Sequence, residues 1–587
     1  MMKQTRHITI EQCLYVLAFG LALGVRLLNL GKAPLSDFEA GWALQSWKAV
    51  QGQPLDIGPN PGYFSLTTLV FYLLGSSNSL ARLWPALFGG LIVLAPWSFR
   101  RIFGRVPAFL IAFGLALDPG MVALSRLAGG PMISMSAVLL ALVLISTRKP
   151  VWAGILIGFA LISGPWVWTG LLGFLIAYGL GRVAGFLPTF LRPDQGNSFG
   201  SEQTSQTQIL TILVAGGITI LAASTLFFIY PGGLGAWGEA FAQYFQGWIS
   251  PSGIPFLRPV LAVVAYQPLA LIAAGVTTTR GWLRGDATIR WLSVWALAAL
   301  LLSLVYPGRQ VYDAAWALVP LWILAALEFA RYLRIPAYPS AAFGQAGVVV
   351  VLAVLFWLVG LNIVPGSNVW VILVSVPVLI LVTSLLVGLG WSWDASRSGF
   401  AWGIGVSLGL YSLAAMFGVS QIQPNSPREL WAPLPGAAQI DLMAETLGEL
   451  ALIQNGRVDW IDIVSTVESP ALQWVLRDFS EVDYVSMLGA DILPSVIITP
   501  KETGTGSENS DLSQTMAYRG QDFLWEAYPD WPGALPLQVW EWITERQAPI
   551  DQKSIILWAR SDLFPEQAEG ESEISTSEPL ENSEEVH

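Results

Sequence analysis

Charge is what this sequence has least of: of its 587 residues, 12% are charged and 54% are apolar. A soluble domain carries about 25% charged residues, so a soluble protein is excluded and an integral membrane protein is expected. There is one cysteine, Cys13, which excludes an intrachain disulfide. The two histidines, His7 and His587, stand at opposite ends of the chain and argue against a histidine-based zinc or iron site. No cleavable leader is expected: MMKQTRH is basic, but the apolar run behind it is longer than a signal's and lacks a small-residue cleavage site.

The net charge of -11 is unevenly distributed. Residues 1–420 hold 22 Lys/Arg against 12 Asp/Glu, whereas 421–587 hold 8 against 29. A basic membrane part is thus followed by an acidic soluble part. Thirteen apolar segments read as spans: 10–29, 79–99, 106–124, 132–147, 151–164, 167–187, 208–229, 259–278, 290–306, 313–330, 343–364, 369–390 and 400–420. Residues 63–76 are apolar as well and read as a surface helix or an extension of the next span. Threading the spans in order puts RRIFGR (100–105), RKP (148–150), RGWLRGDATIR (280–290) and RYLR (331–334) on the side of MKQTRH. Short loops rich in Lys/Arg face the cytoplasm, so loops 31–62, 125–131, 230–258 and 307–312 are expected outside, with everything after 420.

From 421 to 562 the pattern is that of a small extracytoplasmic α/β domain. WIDIVST (460–466), VDYVSM (482–487) and PSVIITP (494–500) read as strands. SPALQWVLRDF (469–479) and LQVWEWITER (537–546) read as helices, the first with Ser469 as N-cap and Pro470 at N1. TGTGSENSDLSQ (503–514) reads as a loop, and the acidic tail 563–587, nearly without aromatics, as disordered.

Ionisable residues at a membrane surface are costly to place and are functional candidates. In RLLNLGKAPLSDFEA (26–40), Asp37 and Glu39 follow Pro34 and precede an amphipathic stretch. Either carboxylate could take a proton from an attacking hydroxyl or amine; the plainer alternative is a pair of loop acids, one capping the next helix. Arg126 in LSRLAGG (124–130) and Arg309 in VYPGRQVYD (305–313) suit phosphate oxygens or could snorkel to headgroups, and Asp313 follows four residues after Arg309. Asp118 in LALDPGM (115–121) either lines a cavity or bonds backbone groups freed beside Pro119. The aromatic loop 230–258 suits stacking on sugars or an interfacial belt.

Four of these stretches resemble the integral-membrane glycosyltransferases of the GT-C class. The likeness is to the branch of aminoarabinose transferases and protein O-mannosyltransferases, with its flippase-activity-associated relatives. RLLNLGKAPLSDFEA resembles the family's acidic first loop, and SSNSLARLWPALFGGL with RRIFG (76–104) its second helix and basic turn. SRLAGG resembles its Ser-Arg element, and YPGRQVYDAAWALVPLWILAAL its late arginine-to-proline helix. The resemblance implies a sugar moved from a polyprenyl-phosphate donor to a lipid, glycan or protein acceptor on the outer face of a bacterial plasma membrane. Glu39 would be the base with Asp37 as partner or substitute, and Arg126, Arg309, Asp118 and Asp313 would meet substrate. The partners would be the donor, the acceptor and membrane lipids, with no nucleic acid. No certain cofactor is implied, though a divalent cation would be compatible. Phe38 stands where the family has the first acid of an adjacent pair, and GGPM (129–132) where an acid follows Ser-Arg. The rival reading is a non-catalytic lipid-carrier transporter or assembly partner with a degenerate site. The charge bias makes one prediction by itself: a reporter that fluoresces only in the cytoplasm, fused after His587, stays dark. A bright cell would reverse the thread and put every candidate residue on the other face.

Overall fold

The computed structural model describes residues 9–191, 202–361, 369–488, 493–501, 517–531, 533–536 and 538–564. The predicted loop 503–514 and the tail beyond 564 lie outside the described residues. All thirteen predicted segments are helical where described, and among the described residues eight helices are long and apolar enough to cross a membrane. These are Ile10–Leu27, Leu83–Phe103, Trp166–Val183, Gln206–Ser224, Ala287–Val305, Val311–Tyr332, Pro339–Leu361 and Trp393–Ile422. Two further segments are bent pairs, Arg105–Leu117 with Pro119–Ser125 at 55° and Arg258–Tyr266 with Pro268–Arg284 at 94°. Each break falls at a proline, which has no N–H to continue the helix and crowds the preceding turn. Counting each pair once gives ten candidates; Met132–Ser146, Pro150–Leu161 and Val374–Gly390 are shorter apolar helices. The expected surface stretch is the helix Pro61–Leu74, capped by Asn60 and also apolar.

The chain divides into two compact units, Met1–Ala438 with Glu526–Gln552, and Gln439–Trp525 with Lys553 onward. In the first, Val311–Tyr332 is the central helix: 83% of its apolar stretch is buried, against at most 50% for the other seven. Its tryptophans fill space that only glycine leaves. A Cβ on Gly114 would stand 2.2 Å from Trp322, and one on Gly170 2.2 Å from Trp316. The outer helices leave apolar side chains such as Leu213, Val214 and Ile218 exposed, as lipid-facing surfaces do. Residues 538–548 pack in this same unit: Trp542 is fully buried and donates to the Arg428 carbonyl at 2.8 Å, and Trp540 donates to the Gly360 carbonyl at 2.7 Å. A two-residue strand, β1 (Gly436–Ala437), also belongs to this unit and pairs antiparallel with Glu526 and Ala527.

The second unit is α/β and smaller than the predicted 421–562, because residues 421–438 and Glu526–Gln552 go with the helical unit. Its strands are β2 (Asp462–Ser465), β3 (Glu481–Tyr484) and β4 (Val496–Pro500), with most of β5 (Tyr518–Pro529) and β6 (Ile550–Arg560). Their order is β5-β6-β4-β2-β3, with β2 parallel to β3 and β4, and β4 antiparallel to β6. The β2–β3 crossover is the helix Pro470–Leu476, where Ser469 Oγ accepts from the Leu472 amide at 3.2 Å and Pro470 takes the first turn. Met443, Leu447, Ile463, Leu472, Ile498, Phe523 and Leu557 form the core of the unit.

The helices Pro150–Leu161 and Glu202–Ser224 cross through a small-residue seam. A Cβ on Gly154 would meet the Ile212 carbonyl oxygen at 2.5 Å, and one on Gly158 the Gly216 carbonyl oxygen at 2.5 Å. Between apolar helices in lipid, close backbone approach supplies the association that hydrophobicity does not. Gly154→Leu or Gly158→Leu should cost about 1–3 kcal/mol by overpacking, seen as earlier thermal unfolding in detergent. Gly217, with nothing within 4 Å of its Cβ position, is the control; equal unfolding of Gly158→Leu and Gly217→Leu would remove the seam.

Candidate functional site

The acidic stretch folds as a helix, Asp37–Val50, with Ser36 as N-cap. Ser36 Oγ accepts from the Glu39 amide, while Glu39 Oε2 accepts from the Ser36 amide and hydroxyl, each at 3.2 Å. This reciprocal cap satisfies donors that a helix start leaves open. It also turns Glu39 inward, where it is fully buried.

There Glu39 meets Arg82, which lies between the helices Asn78–Ala81 and Leu83–Leu91. Arg82 Nε donates to Oε1 and Nη2 to Oε2, both at 2.7 Å. The remaining guanidinium hydrogens go to the carbonyls of Leu30 at 3.1 Å, Ala33 at 2.8 Å and Pro34 at 2.9 Å. Two more donors reach the carboxylate: the Ala128 amide at 3.1 Å and Asn425 Nδ2 at 2.9 Å. A carboxylate offers about four lone-pair sites, and six groups donate to this one. Glu39 thus ties together the loop before its own helix, Arg82, the Ser-Arg element and the segment after Trp393–Ile422. Asp37, at the first position of the same helix, is partly exposed.

Arg126 is buried and spent on backbone. Its Nη1 donates to the carbonyls of Val25, Arg26 and Leu28 and its Nη2 to that of Asn29, at 2.7 to 3.2 Å. These carbonyls end the helix Ile10–Leu27, where a cation is favoured by the helix dipole. Asp118 is fully buried and caps the second half of its bent pair, accepting from the Met121 amide at 2.8 Å and from Trp322 Nε1 at 2.8 Å. That is the backbone-bonding alternative weighed for it in the sequence.

Beside Asp37, the Phe38 ring lies 6.1 Å from Trp166 and 6.0 Å from Tyr312, and the Trp166 and Tyr312 rings are 4.8 Å apart. Asp313, next to Tyr312, is buried and accepts from the Gln310 amide at 2.8 Å and from Thr169 Oγ1 at 3.5 Å. In sequence each of the two acids adjoins a ring of one aromatic cluster, while Glu39 and Arg82 form a separate knot.

Arg309 belongs to a stitched pair of loops. The Gly308 amide donates to the Gly247 carbonyl at 2.6 Å, Ser252 Oγ to the Arg309 carbonyl at 2.6 Å, and Arg309 Nη1 to the Ile254 carbonyl at 3.1 Å. Its Nε is buried without a partner among the described residues. Four residues after Ile254 comes Arg258, which the sequence analysis passed over. It is 2% exposed, and its Nε and Nη2 have no partner among the described residues. The available signal was FLRP (256–259), an arginine just before a proline at the lip of a predicted span. Among the described residues there is no group of three or more His, Cys, Asp or Glu side chains that could hold a metal ion.

Removing one member of a buried ion pair strands the other at about 3–5 kcal/mol. Glu39→Ala should therefore unfold early or fail to accumulate, whereas Asp37→Asn should melt like the parent, as followed by thermal unfolding in detergent. Equal stability of the two variants would show that the knot anchors nothing.

No family model matches the sequence, and neither does any curated protein. Solved structures do. ArnT from Cupriavidus metallidurans in the apo state matches with a TM-score of 0.52 at 15% identity, over 94% of this chain and 98% of that one. The same protein bound to undecaprenyl phosphate gives 0.49 at 15% identity, over 92% and 97%. The Archaeoglobus fulgidus oligosaccharyltransferase in complex with Zn and sulfate gives 0.37 at 14%, over 87% and 71%. At this identity the likeness is one of architecture: from end to end, this chain has the fold of ArnT, a GT-C glycosyltransferase.

Proposed function

We propose that this protein is a GT-C membrane glycosyltransferase that moves a sugar from a polyprenyl-phosphate donor to an acceptor at the outer face of a bacterial plasma membrane. The thirteen helical segments would then all be membrane elements, with the second unit outside. The observation that carries the reading is Arg258. An isolated buried cation costs several kcal/mol, and this one lies in the fold of a protein known with undecaprenyl phosphate bound; Arg309 has a buried open donor of its own.

The roles divide by pairing. Arg258 and Arg309 hold the donor phosphate and neutralise the charge that grows on it as the bond to the sugar's anomeric carbon breaks. A lipid phosphate is already a good leaving group, so positioning and charge carry most of the rate. Asp37 takes the proton from the attacking hydroxyl or amine, and the acceptor oxygen or nitrogen displaces the phosphate with inversion. Asp313, buried next to Tyr312 in the chain, orients the sugar. Glu39 and Arg126, the first choices from the sequence, are assigned to anchoring, because one is saturated by donors and the other by carbonyls.

Two variants test this in membranes supplied with a labelled undecaprenyl-phosphate sugar. Asp37→Asn should lower transfer by about 10²–10⁴-fold while leaving donor binding intact. Arg258→Met should weaken donor binding by about 1.5–3 kcal/mol and yet raise the melting temperature without donor, because it removes an unpaired buried charge. If the parent transfers from none of the polyprenyl-phosphate sugars offered, the non-catalytic reading takes its place.

A further inference from the structure

The short helix Arg258–Tyr266 carries more than the arginine at its start. Its buried residues Arg258, Pro259, Ala262, Val263 and Tyr266 fall on one stripe, because residues eight apart lie only about 80° from each other around a helix. Arg258 and Tyr266 therefore share a face, roughly 12 Å apart along the axis, and Val264 is exposed on the opposite side. Beyond Tyr266 the chain bends by 94° into Pro268–Arg284. Pro268 has no N–H to carry the first helix across that break, so what fixes the end at Tyr266 also fixes how Arg258 is presented.

Tyr266 is held by residues from far along the chain. It is fully buried, and its hydroxyl donates to Glu429 Oε2 and accepts from the Leu430 amide at 3.3 Å. The Arg546 guanidinium lies over its ring, 4.7 Å from the centroid, and equally over the ring of Trp542. The same guanidinium meets the other carboxylate oxygen, with Nε 3.7 Å from Glu429 Oε1. A cation over two aromatic faces and beside a buried carboxylate closes a clamp around the tyrosine.

The backbone bears out the importance of that cation. Arg546 stands at φ +55, ending the helix Val539–Glu545 in the left-handed region. Glycine takes that region freely and other residues reach it only at a cost, which persists where the surroundings over-determine the residue. Here the clamp supplies that determination, and a glycine would lose it.

We propose that Tyr266, Glu429 and Arg546 are positioning residues for Arg258: the clamp fixes the far end of its helix and so presents the guanidinium to the donor phosphate. The proposal rests on the reading of Arg258 as a phosphate ligand. It gives residues 538–548, which in sequence connect β5 to β6, a part in donor binding that needs no contact with the donor.

The probe is undecaprenyl phosphate, titrated into the intact chain in detergent and followed by native mass spectrometry. Tyr266→Phe keeps the ring and removes the hydroxyl, and it should weaken binding by about 3- to 10-fold, the range of one hydrogen bond. Arg546→Met keeps the stem and removes the charge; it should give a like loss, and it answers for the clamp if Tyr266→Phe does not fold. Two controls separate positioning from mere stability. Gly158→Leu should melt early yet bind as the parent does. In an Arg258→Met background, the clamp variants should weaken binding no further, because residues that act through one another are not additive. Parent-like affinity in the folded clamp variants, their full loss on top of Arg258→Met, or an equal loss in Gly158→Leu would each overturn the positioning role and leave Arg258 as the phosphate ligand. If Arg258→Met binds as tightly as the parent, or the parent binds no undecaprenyl phosphate, the donor reading fails and the positioning role with it.

Discussion

The Glu39–Arg82 pair is the constraint on which this end of the helical unit depends. Membrane helices gain nothing from hydrophobicity when they leave lipid for one another, so what sets their loops must be polar and specific. Bringing two charges out of water costs several kcal/mol for each, and only dense hydrogen bonding offsets it. Here Arg82 spends its donors on the carboxylate and on three loop carbonyls, and the carboxylate collects donors from Ser36, Ala128 and Asn425. Asn425 sits at φ +63, a conformation that asparagine tolerates better than most residues. That turn delivers its amide to Glu39 and starts the segment that bears Glu429 and Trp431.

Arginine is the residue whose meaning changes most from site to site. Arg26 is fully buried and spends its donors on Ser125 Oγ and on the carbonyls of Ala22, Leu115 and Ala116. Arg82 answers a carboxylate, Arg126 answers the end of a helix, and Arg258 answers nothing among the described residues. In sequence these four differ only in their neighbours. Their fates are decided by which carbonyls and acids lie within reach across 50 to 100 residues of chain, and no local pattern encodes that.

The same distinction separates what could be read in advance from what could not. Helical segments, the acidic helix start and the Ser469–Pro470 cap are local, written in apolar runs and in residues three apart. The span count was less secure, because Pro119 and Pro268 bend two segments and three others are short. Strands β5 and β6 went unread: GQDF breaks the alternation of the first, and β6 is placed by antiparallel pairing with the distant β4. The return of residues 538–548 to the helical unit depends on Trp540 and Trp542 meeting carbonyls far away in sequence. At the site, the acids of the stretch 26–40 are legible in the sequence, but their division between a buried and a partly exposed position is not.

That division follows from helix geometry. Residues two apart on a helix are rotated by about 200° and so point about 160° apart, so Asp37 and Glu39 cannot share a face. The N-cap at Ser36 fixes the rotation of the helix by drawing the third residue back onto itself, which commits Glu39 to the interior and to Arg82. Phe38, between them, is turned toward Trp166 and Tyr312. Asp37 is left partly exposed, on a backbone held by its neighbour's ion pair. An adjacent pair of acids would be only about 100° apart, with both carboxylates drawn toward the same arginine. The intervening phenylalanine thus lets one acid hold the loop while the other stays partly exposed.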